Sequence, residues 1–239
     1  MIQIIQLTKK FGSFTAVDNL NIEVKAGEFY GFLGPNGAGK TTTIKMMAGL
    51  YAPTEGRILI DGFDIQKQPM EAKTATGYIP DQPFLYEKLT GREFLYLTAG
   101  LYRMSHSSVA GRIKELVDEF EIGSWLDRRA EDYSQGMRQR IIITAALLHN
   151  PKVLVIDEPM VGLDPRSAHI MKQVFMRKSK EGMAVFMSTH SLQVAEELCG
   201  RIGIIKDGRL IFEDTIEALQ VFKRRYDGKF ESVFLELTK

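Results

Sequence analysis

The sequence predicts an α/β fold, a core of buried strands and flanking helices interrupted by a helical insert. Three observations carry this expectation. Val153-Leu154-Val155-Ile156 and Ala184-Val185-Phe186-Met187-Ser188 are continuous runs that fit strands buried on both faces. Glu28 to Leu33 reads as a buried strand and leads through glycines into a helical stretch, Thr42 to Leu50. From Thr90 to Leu148 the apolar residues recur at helical spacing.

The elements follow in order. Met1 to Ile5 is strand-like, and Leu20 to Val24 alternates before the turn Lys25-Ala26-Gly27. Ala52 to Gly56 is a loop. Arg57 to Ile60 is a strand closed by the turn Asp61-Gly62. Thr90-Gly91-Arg92-Glu93 fits a capping box ahead of Phe94, Leu97 and Leu101. Val109, Ile113, Leu116, Val117 and Phe120 make a second helical face, and a third helix starts near Ser134 and stops before Pro151. Ile202 to Lys206, Asp207-Gly208 and Arg209 to Phe212 read as a hairpin. Residues 1–82 and 151–213 are assigned to the core, 83–150 to the insert and 214–239 to a C-terminal extension. That extension carries Lys223-Arg224-Arg225 and a helix-like Ser232 to Leu237.

Composition narrows the function. With 31 Lys+Arg against 30 Asp+Glu, the 239-residue chain has a net charge of +1, which argues against a broad nucleic-acid-binding face. The single cysteine, Cys199, excludes an internal disulfide and is expected near a helix end as a small apolar residue. Met1 to Ile5 does not read as a signal peptide. The longest apolar run, Ile141 to Leu148, is far shorter than the roughly 20 residues of a membrane span. The chain is therefore expected to be soluble by itself, with any membrane spans supplied by another chain.

Chemistry concentrates at Gly34-Pro35-Asn36-Gly37-Ala38-Gly39-Lys40-Thr41, which fits Gly, four residues, Gly-Lys-Ser/Thr. Glycines let backbone N–H groups converge on phosphate oxygens, and the following helix presents its positive end to the same anion. Lys40 is placed to reach the β- and γ-phosphates and Thr41 to hold Mg²⁺. Phosphoryl transfer also needs a metal anchor and an orienter of water. Asp157 ends a buried strand, expected beside the phosphate-loop strand, and can hold Mg²⁺ directly or through water. Glu158 is placed to polarise the attacking water. His190 ends the next apolar run and is read as a sensor of the γ-phosphate that orients Glu158. Gln82, where the core gives way to the insert, is suited to touch Mg²⁺ or water when ATP is bound. His106, His149 and His169 read as surface or helix residues.

Over nearly its whole length the sequence resembles the ATP-binding subunit of ABC transporters. Gly34 to Thr41 is similar to the Walker A loop, Val153 to Glu158 to Walker B with its catalytic Glu, and Gln82 to the Q-loop glutamine. Tyr133-Ser134-Gln135-Gly136-Met137 resembles the family signature, Gly162-Leu163-Asp164 the D-loop and His190 the switch histidine. Phe11 is similar to the aromatic residue that stacks on adenine. The signature departs from Leu-Ser-Gly-Gly-Gln at Tyr133, Gln135 and Met137 but keeps Ser134 and Gly136. Its Tyr-Ser-x-Gly-Met-Arg-Gln-Arg form resembles drug- and antibiotic-exporter subunits. Met160 stands where Thr is usual.

The resemblance implies a phosphate-loop ATPase core with an antiparallel β subdomain and a helical insert. It implies ATP and Mg²⁺ as ligands. Each ATP would lie between Gly34–Thr42 of one subunit and Ser134 and Gly136 of a second, with Asp164 at the interface. A homodimer would have two competent sites, and a heterodimer is also open. A transmembrane permease is the expected partner, met at the aromatics of Pro83 to Glu87 with Phe94, Tyr96 and Tyr102. The implied place is cytoplasmic, on the inner face of the cell membrane. The alternative is a soluble ATPase of the same superfamily acting on nucleic acid, ribosome or cluster assembly. The near-neutral charge and the absence of sustained heptads between Lys40 and Val153 disfavour it.

Overall fold

The computed structural model describes residues 1–82, 84–159 and 164–223, without the side chains of His106 and of residues 220–223. Pro83, Met160, Gly162, Leu163, Arg224, Arg225 and the Ser232–Leu237 stretch lie outside the described residues. In chain order the elements are β1 (Ile2–Phe11), β2 (Phe14–Val24), β3 (Phe29–Leu33), α1 (Lys40–Met47), β4 (Glu55–Ile60), β5 (Phe63–Asp64), α2 (Pro69–Thr74) and β6 (Thr76–Ile79). Next come α3 (Gly91–Leu101), α4 (His106–Glu119), α5 (Gln135–Leu148), β7 (Val153–Asp157), α6 (Pro165–Lys180) and β8 (Ala184–Thr189). The described part closes with α7 (Leu192–Leu198), β9 (Arg201–Lys206), β10 (Arg209–Thr215) and α8 (Ile216–Lys223).

Two sheets form. One is antiparallel, ordered β2-β1-β4-β5; the other is ordered β10-β9-β3-β8-β7-β6, parallel except for the β9–β10 pair. Both short turns have the expected conformation: Asp61 and Gly62 (φ 51° and 88°) and Asp207 and Gly208 (φ 49° and 79°) all lie at positive φ. That backbone matches the right-handed twist of the flanking strands.

The central strands are apolar throughout because the six-stranded sheet is covered on both faces. Along β3, Phe29 and Leu33 join the core shared with the insert, whereas Tyr30 and Phe32 face the core shared with the antiparallel sheet and α1. One expectation needs correction. β7 does not lie beside β3, because β8 is inserted between them and pairs in register with both. Apolar patterning reveals that a strand is buried but not its neighbours. The insertion sets the end of β8, with His190, between the phosphate loop and Asp157.

In the insert α4 and α5 pack as their periodicity demands, whereas on α3 Leu97 and Leu101 are 41% and 75% exposed and Leu95 and Ala99 take the buried positions instead. Leu95, Val109, Ile113, Leu116, Phe120 and Ile141 are buried in one cluster. Thr90 and Glu93 close the capping box in both directions at the start of α3. Tyr133 fills a leucine position for a visible reason. Its hydroxyl accepts the Gly91 N–H (3.0 Å) and donates to the Leu126 carbonyl (3.2 Å), tying the entry of α5 to that of α3. Trp125 packs edge-on against Tyr133, with ring centroids 5.0 Å apart. Cys199 is buried at the end of α7, and burial pushes its thiol pKa up.

Candidate active site

The phosphate loop runs from the end of β3 to Lys40, the first residue of α1. Its glycines at 34 and 39 are demanded by space. A Cβ on Gly34 would lie 2.3 Å from the Ile205 carbonyl oxygen, and one on Gly39 (φ 110°) would lie 2.5 Å from that of Ala16. Gly34 and Ala38 are buried behind the loop, while Pro35, Asn36 and Gly37 are exposed. Lys40 folds back over it. Its Nζ donates to the carbonyls of Gly34 (2.7 Å) and Pro35 (3.1 Å). Burial lowers the Lys40 pKa, and the charges of Glu158 and Asp157 oppose that shift. Phosphate oxygens offer this buried ammonium stronger, charge-assisted partners than carbonyls do.

Asp157 ends β7 completely buried. Its Oδ1 accepts the Ser188 hydroxyl, and its Oδ2 has no hydrogen-bond partner. Burial raises its pKa, and the Ser188 and Thr41 hydroxyls work against that rise. A buried acceptor left unpaired costs roughly 1–3 kcal/mol. A hard cation would relieve that cost, and Thr41, Gln82 and Asp157 offer the oxygen donors Mg²⁺ prefers. Among the described residues, no group of three or more His, Cys, Asp or Glu side chains is placed to hold a metal. That donor set fits Mg²⁺ only as Mg²⁺ is usually held with nucleotides, by few protein ligands plus phosphates and water.

Glu158 follows in a left-handed conformation (φ 50°), its N–H donating to the Ser188 carbonyl at 3.2 Å. Its Oε2 lies 2.7 Å from Nδ1 of His190. A cleft of about 670 Å³ gathers Asn36, Gly37, Gly39, Lys40, Thr41, Thr42, Gln82, Glu158 and His190 along its walls. The same cleft is lined by Gln135, read in the sequence only as a departure from the signature, and by Phe14, Ala16 and Asp81, to which the sequence reading gave no role. Phe14 follows a glycine turn and is 62% exposed, a signal visible only once the β1–β2 hairpin is built.

Gly34, Pro35, Ala38 and Asp157 are not among the residues lining that cleft, and Phe11, Ser134, Gly136 and Asp164 lie apart from it as well. Phe11 pairs across the hairpin with Phe14 and sets its ring edge-on to Tyr51, at 5.7 Å. Ser134 caps α5, its Oγ accepting the Met137 N–H at 3.3 Å, and Gly136 lies buried in that helix's first turn. Asp164 caps α6 by accepting the Ser167 N–H (2.9 Å) and hydroxyl (2.6 Å). Those two bonds, the hydroxyl's first, hold its carboxyl below the usual range.

A phosphate loop, a buried carboxylate and a glutamate–histidine pair around one cleft define a nucleotide-hydrolysing cassette. Residues 17–161 match the family described as ABC transporter. The bacitracin transport ATP-binding protein BcrA of Bacillus licheniformis is 39% identical over 95% of this chain and 73% of its own. A solved ATP-binding subunit of an ABC transporter superposes with a TM-score of 0.91 at 31% identity, covering 100% of both chains. A dimeric ATP-binding cassette solved in a post-hydrolysis state with ADP and Pi superposes at 0.81 with 28% identity, covering 90% of this chain and 99% of its own. The chain belongs to the ABC transporter family. It is the subunit that binds and hydrolyses ATP.

Proposed function

We propose that the residues around the 670 Å³ cleft act as one hydrolytic unit. The observation that carries this reading is their convergence: the phosphate loop, Gln82, Glu158 and His190 wall a single cleft beside an unpartnered oxygen of Asp157. The loop from Gly34 to Thr42 cradles the phosphates, with Lys40 moving from loop carbonyls to the β- and γ-phosphates. Thr41, Asp157 and Gln82 hold Mg²⁺, which when bound neutralises charge on the phosphates. Glu158 takes the proton of the attacking water. His190, already 2.7 Å from Glu158, keeps that carboxylate oriented and registers the γ-phosphate. Phe11 is assigned to the adenine.

Ser134 and Gly136 lie outside the cleft of their own chain, so their γ-phosphate contact is made in a second copy, with Asp164 at the seam. A homodimer then has two complete sites. The insert, taken as 83–150, carries the route to the permease. Phe84 and Tyr86 are 70% and 54% exposed and touch edge-on at 5.6 Å. An aromatic surface this open, next to Gln82, suits a short helix of a membrane chain. No helix among the described residues is long and apolar enough to cross a membrane. The proposed place of the chain is the cytoplasmic face of the membrane through its permease, a reading supported by the likeness to a bacitracin transport ATP-binding protein, which also favours export.

Glu158→Gln tests the reading. The variant is expected to keep ATP affinity within about threefold while turnover falls at least a hundredfold, in the range of a lost general base. ATP-bound dimers should then accumulate on gel filtration with light scattering. Turnover at the wild-type rate would remove Glu158 from the chemistry.

A further inference from the structure

Ser188 fastens both acidic residues of the site, Asp157 through its buried hydroxyl and Glu158 through its backbone carbonyl. It has no exposure to solvent and stands in register with Asp157 on β7 and with Phe32 on β3. Side chains in register on adjacent strands point to the same face of a sheet. The Ser188 hydroxyl donates to Asp157 Oδ1, and the Ser188 carbonyl accepts the Glu158 N–H at 3.2 Å. A serine hydroxyl has one hydrogen to give. Spent on Oδ1, it fixes the rotation of the carboxylate and leaves Oδ2 without a partner.

We propose that Ser188 is a positioning residue for the metal: it locks the Asp157 carboxylate so that its free oxygen is presented to Mg²⁺ beside the phosphate loop. An apolar residue at 188 would leave both carboxylate oxygens buried without that donor. The carboxylate would keep only the neighbouring Thr41 hydroxyl to orient it, and part of the metal's binding energy would go into ordering it. The backbone bond to Glu158 survives any substitution, so the effect falls on metal affinity and leaves the Glu158 turn in place.

The proposal rests on the ATPase reading, and the experiment separates the two. Mn²⁺ serves as the probe, its binding to protein with ATP followed by electron paramagnetic resonance, while metal-free ATP affinity is measured by calorimetry in EDTA. Ser188→Ala is expected to weaken Mn²⁺ about ten- to a hundredfold, the range seen when a partner of a metal ligand is removed. Metal-free ATP affinity should stay within about threefold. Ser188→Thr, which keeps the hydroxyl on a strand that suits a β-branched residue, should recover Mn²⁺ affinity to within a few-fold. Wild-type Mn²⁺ affinity in Ser188→Ala would overturn the proposal. Equal losses of Mn²⁺ and metal-free ATP affinity in both variants would overturn it too, because packing rather than the hydroxyl would then be responsible. If Asp157→Asn bound Mn²⁺ as tightly as the wild type, the metal assignment itself would fall, and with it the role of Ser188.

Discussion

Lys40 shows how much one side chain can be asked to do. Its ammonium is buried, holds two loop carbonyls, and lies close enough to Asp157 and Glu158 to feel their charge. In Lys40→Ala the loop loses the only lysine or arginine among the described residues lining the cleft. Replacing a charge-assisted contact to phosphate costs about 1.5–3 kcal/mol per bond. Isothermal titration should therefore show ATP affinity reduced at least thirtyfold, and unchanged affinity would refute the phosphate-loop role. Glu158 illustrates the opposite case, in which function sets backbone geometry. A non-glycine residue at φ 50° is strained by roughly a kilocalorie or more, and its side chain is thereby turned onto His190.

At the scale of elements, pattern and structure agree where burial alone decides. The two-faced strands, the capping box at Thr90, the turn at Asp61-Gly62 and the hairpin at Asp207-Gly208 were legible, since each is a local physical requirement; the short β5 that turns Asp61-Gly62 into a second hairpin was not. What stayed hidden depends on neighbours. That β8 lies between β3 and β7 follows from connectivity, and so does the meeting of Ser188 with Asp157. His149 is a second instance. Read as an ordinary helix residue, it caps α5, stacks on Tyr102 with centroids 3.7 Å apart, and has Nε2 3.1 Å from the Thr76 carbonyl. It thus fastens the insert to β6.

Burial lowers the His149 pKa to about 4 from 6.5. The sign of the linkage follows. Between those values the unfolded chain binds the proton and the folded chain does not, so stability falls as pH drops from about 6.5 toward 4. Urea unfolding at pH 7 and pH 5 should show the wild type losing on the order of 1–2 kcal/mol more than His149→Gln across that interval. Equal losses would mean that His149 titrates normally.

For the whole molecule, the unsettled geometry is between copies. Ser134 and Gly136 are not among the residues lining the cleft, although Gln135 between them is, and the proposed use of both is in a second copy. Gly136→Asp tests this, because a carboxylate in the first turn of α5 suits the helix dipole while repelling a phosphate; Gly136 is buried, so native folding of the variant is checked first by its thermal unfolding. In a Glu158→Gln background, this change should leave ATP binding to the monomer within about threefold and abolish the ATP-dependent dimer in light scattering. Dimers that persisted would end the shared-site account. A larger cleft, about 890 Å³, lies between β1, β2 and the end of α6 and holds none of these motifs. Volume is therefore a poorer guide to the chemistry here than the convergence of charged groups.

The tight seating of the phosphate loop reaches further than its own conformation. Gly34 rests on Ile205 of one sheet and Gly39 on Ala16 of the other, and the Ala38 carbonyl accepts the Gly208 N–H at 3.0 Å. The loop thus joins two layers that also meet there through the Asp18 N–H donating to the Gly208 carbonyl (2.8 Å) and the Arg209–Asp18 ion pair. A ligand that stiffens it clamps the layers together, so filling the cleft should knit the two halves of the molecule into one cooperative block.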